Sequence, residues 1–158
     1  MKHRRKGLTF VITTVLIAAL VFIYWQGRPR QLIIYDADKG TVYGAFPVTD
    51  GSRFNLEFIH SVNKTPVKDE LEIRGRNLYP VSTTYSSFGA GVQTELDGDE
   101  KLSYNEAGGM VITGFNQKLE QLNLIVGTVS DHLFTIEGQV ISLTELCGKN
   151  AAVVFRVK

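Results

Sequence analysis

The densest cluster of reactive side chains in the chain is His60-Ser61-Val62-Asn63-Lys64-Thr65-Pro66-Val67, with Glu70 just beyond. An imidazole oriented by a carboxylate is the arrangement of general bases and of metal-ligating histidines. Matching the apolar faces of the flanking segments allows two pairings: one sets His60 opposite Asp69 and Phe58 opposite Leu71, the other sets His60 opposite Val67. Only the first gives the histidine an acid. A serine nucleophile fits poorly, because successive strand residues face opposite ways and Ser61 would point away from His60. A metal would require His60 to meet His132 or carboxylates from across the fold, and two histidines without a spacing signature are a weak case. The plainer reading is structural. His60 and Ser61 satisfy loop backbone groups, Pro66 fixes the returning strand, and Glu70 pairs with a neighbouring cation.

Other candidates for chemistry are thin. Cys147 is the single cysteine, so no internal disulfide and no multi-cysteine metal site can form, and Leu146-Cys147-Gly148 reads as a small buried apolar position. Asp36 and Asp38 hint at a calcium loop, but Gly40 and Pro47 stand where that loop needs an oxygen ligand and a glutamate. A solvated turn fits better. Asn63-Lys64-Thr65 is a glycosylation sequon only in a eukaryotic secretory pathway. The sequence therefore assigns no catalytic residue, no cofactor and no metal.

The elements that must position this loop read as strands. Residues 31–35 and 41–48 flank an acidic turn and form a hairpin; residues 53–60 alternate, with Phe54, Leu56, Phe58 and His60 on one face. The pattern returns through Val67, Asp69, Leu71 and Ile73 and continues, past a turn at Gly75-Arg76-Asn77, as strand material over 78–88. Gly89-Ala90-Gly91 is too permissive for a strand interior and marks a bulge or a close approach. Short strands follow at 101–104 and 110–113. Phe115, Leu119 and Leu122 have helical spacing, which predicts one helical turn before period two resumes. Residues 132–136 and 139–143 flank Glu137-Gly138, and a two-residue loop sets Phe134 opposite Ile141. Alternation over 151–157 closes the chain. About ten short strands with no long helix predict an all-β domain, a β-sandwich or small barrel, over residues 31–158.

Residues 1–30 are of another kind. Residues 8–25 carry no charge, and at about 1.5 Å per residue would span about 27 Å as a helix, enough for one bilayer crossing. Lys2, His3, Arg4, Arg5 and Lys6 precede it and would hold that end in the cytoplasm, while Tyr24 and Trp25 would sit at headgroup depth. The run ends bulky where a cleaved signal peptide would end small, so a retained single-pass anchor is expected. The remainder, with eleven basic and sixteen acidic residues after residue 30, carries a net −5 and would lie outside the cytoplasm. That charge excludes a nucleic-acid partner.

Taken together, His60, Ser61, Val62, Pro66, Glu70, Gly89, Ala90 and Gly91, with the closing VVFRV, resemble a prokaryotic domain-of-unknown-function family found beside or fused to the membrane components of TAXI-type TRAP transporters. The resemblance runs from about Arg53 to the end. That family often has an acid where Asn63 stands and a bulky aromatic near Val67. The resemblance implies a non-enzymatic, extracytoplasmic accessory to solute uptake, docking on the transporter's membrane subunit or its solute-binding protein. His60, Ser61, Asn63, Pro66, Glu70, Gly89, Ala90 and Gly91 are then the candidate partner or ligand surface, since loops on a rigid scaffold carry recognition. The alternative is an envelope metal-binding or hydrolytic domain centred on His60 and Glu70.

Overall fold

A computed structural model describes residues 14–17, 30–60, 62, 64–86 and 95–158. The expected anchor lies outside the described residues except for 14–17, which are helical; among the described residues no helix is long and apolar enough to cross a membrane. From residue 30 onward the regular structure of the described chain is strand, apart from one short helix. In order it forms β1 (Arg30–Asp36), β2 (Val42–Val48), β3 (Arg53–Ile59), β4 (Pro66–Arg74), β5 (Asn77–Tyr85), β6 (Lys101–Tyr104), β7 (Met110–Thr113), β8 (Leu122–Ile125), β9 (His132–Ile136), β10 (Gln139–Ser142), the short helix α1 (Leu143–Cys147) and β11 (Ala152–Val157).

These strands build two antiparallel sheets, one ordered β2-β1-β11-β8 and the other β10-β9-β3-β4-β5-β7-β6. Neither closes on itself, so of the two expected architectures the sandwich is the one formed. The inward residues of both sheets make one core: Leu32, Ile34, Val153, Phe155 and Val157 from the first meet Phe54, Leu56, Leu71, Ile73, Phe134 and Ile136 from the second. Phe54 stacks on Phe155 at 6.1 Å, and Phe134 meets Phe155 edge-on at 5.5 Å, so aromatic rings join the layers at their centre.

Turn chemistry sets the registers. Asp36 accepts from the backbone N–H groups of Asp38 and Lys39 with one oxygen and from the Tyr43 hydroxyl with the other, which closes the β1–β2 hairpin. Glu137 and Gly138 both have positive φ, the backbone of a two-residue hairpin turn, and Phe134 pairs with Ile141 as expected. Pro80 falls beside a bulge: Leu71 pairs with Pro80 and Glu70 with Ser82, leaving Val81 as the extra residue. Proline has no ladder N–H to give, and a bulge tolerates that.

Three expectations need correction. Residues 114–121 are not helical; Leu119 forms an isolated bridge with Leu78, and Phe115 packs on Met110 and Ile112, so each apolar residue is held by a different neighbour rather than by one helical stripe. Residues 143–147, read as the end of a strand and a loop, form α1, with the Ser142 hydroxyl accepting from the Glu145 N–H at 3.0 Å. The β3–β4 pairing is neither of the two anticipated: Phe58 lies opposite Val67 and Leu56 opposite Asp69. Face-matching survives, but His60, Lys64 and Thr65 bond among themselves, His60 N–H to Thr65 O and Lys64 N–H to His60 O.

The two ends of the sandwich differ. At one, where the domain begins, Gln31 and Lys158 exchange backbone hydrogen bonds, and Asp50 accepts from both Arg30 and the Gly75 N–H. The Glu137-Gly138 turn lies there too, since Phe54 pairs with Ile136. At the other end lie loops 60–65 and 126–131, tied by the Ser130 hydroxyl to Ile59 O, together with Ser86, whose N–H donates to Pro66 O. The strand β3 runs between them, about 23 Å at about 3.3 Å per residue.

Candidate functional site

The seven-stranded sheet is wider than the four-stranded one laid against it. Beyond the short edge strand β8, the inner face of β4 and β5 is roofed, among the described residues, by the extended segment around Phe115, Gln117 and Leu119. A cleft of about 270 Å³ results, walled mainly by Leu56, Phe58, Leu71, Leu122 and Leu124.

Into this apolar wall the alternation of β4 places a carboxylate. Asp69 shares its face with buried Val67 and Leu71, and the Thr83 hydroxyl from β5 donates to its Oδ1 at 2.7 Å. Burial pushes the Asp69 carboxyl above its ordinary value, against the opposing pull of the Thr83 hydrogen bond. Among the described residues it has no ion pair.

His132, the first residue of β9, forms the end of the cleft. Its ring stacks on Phe58 at 5.1 Å, and its Nδ1 accepts from the Gly127 N–H at 3.0 Å. Burial lowers the imidazole below its ordinary value, with the charge of Asp131 working the other way. The backbone donor on Nδ1 leaves Nε2 to carry the proton of the neutral ring. Gly127 is glycine for a steric reason: a Cβ there would sit 2.1 Å from Ser130 O and 3.2 Å from His132 Nδ1. On the far side of the Phe58–His132 pair a second hollow, about 430 Å³, is lined by His60, Lys64 and the 127–130 segment.

The residues singled out from sequence fall into three groups. His60 lies at the loop pole, its Nδ1 taking the Val62 N–H at 3.3 Å, and Pro66 opens β4 opposite Ile59. Glu70 is elsewhere: four residues along β4 from Pro66, about 13 Å, it points to the outer face and accepts from Arg53 at 3.4 Å and Ser82 at 3.2 Å. His60 and Glu70 are thus not brought together, and the neighbouring cation expected for Glu70 is Arg53. Ser61, Asn63, Gly89, Ala90 and Gly91 lie outside the described residues. His60 and His132 do line one hollow, but no group of three metal-capable side chains occurs among the described residues.

Asp69, Thr83 and His132 were missed as a set. A sequence signal existed for the first, a carboxylate at a position of apolar phase between Val67 and Leu71. None existed for the others, which reach it only through sheet pairing. Cys147 is half-buried against the core, and burial pushes its thiol up to about 11, so it stays protonated and unreactive at neutral pH.

No curated protein and no solved structure matches this chain. A family described as a domain of unknown function, DUF1850, matches residues 54–143, from the core phenylalanine of β3 to the start of α1. That span is more than half of the chain and contains the whole Asp69–Thr83–His132 cleft and the 60–65 loop, and the chain belongs to this family.

Proposed function

We propose that this protein is a non-enzymatic, membrane-tethered binding domain outside the cytoplasm that assists a TRAP-type transporter of the TAXI class. It is held by residues 8–25 and makes its contact through the pole carrying loop 60–65. The observation that supports this reading is the gathering of recognition loops at one end. Loops 60–65 and 126–131 and the Ser86 end of β5 share the pole opposite Arg30, where Val129 is 91% exposed and Val62 63% exposed. Apolar side chains exposed together at a loop pole mark an interaction site.

With an anchor preceding Arg30, that pole is turned away from the bilayer by the length of β3, about 23 Å. A soluble solute-binding protein is then a better partner than the buried parts of a membrane subunit. The test is recovery of the tagged full chain from cells at native expression in mild detergent. A TRAP component should co-purify, and Val129→Glu should release it without unfolding the domain. Repeated recovery with no transporter component would remove the proposal.

A further inference from the structure

We propose that the cleft between β4–β5 and β8 binds a small organic cation, an amine carried on an apolar or aromatic body of about ten non-hydrogen atoms, a size set by room for about nine waters' worth of volume at about 30 Å³ each. Asp69 and Glu70 both border the cleft, but Glu70 turns its side chain to the outer face, so Asp69 is the one carboxylate on the inner wall, and among the described residues no lysine or arginine lines it. Glu70 already has Arg53 at 3.4 Å. Asp69 has only the Thr83 hydroxyl, on Oδ1; Oδ2 takes no hydrogen bond from the described residues, yet no buried side-chain oxygen or nitrogen among them lacks a partner, so Oδ2 is open to solvent.

An unmatched carboxylate oxygen opening from an apolar wall is complementary to an ammonium group whose hydrocarbon lies against that wall. Phe58, Leu122 and Leu124 supply the apolar contact, and the neutral His132 ring adds no charge to repel the cation. An anion would face Asp69 without any cation to receive it. The inference concerns a different surface from the loop pole and does not require a transporter partner.

The test uses the full chain in lipid nanodiscs at neutral pH, titrated with 2-phenylethylamine and followed by the imidazole NMR signals of His132, assigned with His132→Gln. A saturable displacement is expected. Neutral 2-phenylethanol should bind roughly ten- to a hundredfold more weakly, the worth of one hydrogen bond to a charged group, and anionic 3-phenylpropionate should not bind. Asp69→Asn, whose thermal transition reports that it is folded, should lose the preference for the amine. Equal responses to all three compounds, no saturable response to the amine, or an unchanged amine affinity in folded Asp69→Asn would each overturn the proposal. Because the sample contains no transporter component, none of these outcomes bears on the co-purification result.

Discussion

Replacing Asp69 by asparagine removes a charge from the inner face of β4 and keeps nearly the same shape. Asparagine can still accept from the Thr83 hydroxyl that now lies 2.7 Å from Oδ1. What disappears is the need to hold a carboxylate among Leu56, Leu71 and Leu122. An imperfectly compensated polar group costs about 1–3 kcal/mol in proteins, and partial exposure of Asp69 puts the gain near the lower end, about 1 kcal/mol. For a domain of this size that is about 4 °C in melting temperature. The sign depends on pH. Burial raises the folded-state pKa of Asp69 above 3.8, so the native wild type resists ionisation. Its destabilising contribution is absent below that ordinary value, grows as pH rises from there, and is complete above the raised folded-state value. Urea unfolding of both proteins from acid to neutral pH should therefore show the advantage of Asp69→Asn growing with pH. A variant less stable than wild type at neutral pH, or an advantage that does not change with pH, would refute this placement of the carboxylate.

Two further substitutions probe the supporting structure. Gly127→Ala forces a Cβ to within 2.1 Å of Ser130 O and should cost about 1–3 kcal/mol of stability; by pushing the residue 127 backbone N–H away from Nδ1 it should also raise the His132 pKa, read by imidazole NMR. In the wild type that pKa is depressed, so the unfolded chain takes up the proton first, and the His132 contribution to stability should decline as pH falls from about 6.5 through the folded-state value. Ser142→Ala removes the cap of α1 and should cost about 1 kcal/mol in chemical unfolding.

How much of this could be read in advance depended on whether the determining interaction was local. Alternation in β3 and β11 announced the core faces, because period two is written residue by residue. Glu137-Gly138 announced its hairpin through backbone freedom at two adjacent positions. The α1 helix also had a local signal, the pair Ser142 and Glu145 at capping-box spacing, and it was overlooked because five residues carry no helical periodicity. The β3–β4 register was not local. Several pairings keep Phe58 and Leu71 inward, and the choice rests on the backbone hydrogen bonds among His60, Lys64 and Thr65. Phe115 and Leu119 imitate a helix in spacing while packing against different strands. The cleft was the least legible feature. Thr83 lies fourteen residues from Asp69, and His132 joins them only because β9 pairs with β3, whose other neighbour is β4.

The central proposal, that the loop pole is the contact face of a transporter accessory, is tested most directly in living cells by a photo-crosslinking residue in place of Val129. Val140, 64% exposed on the edge strand β10, serves as the control. The account predicts a product with a TRAP solute-binding protein or membrane subunit from position 129 and none from position 140. Absence of such a product at 129, or equal products from both positions, would contradict it.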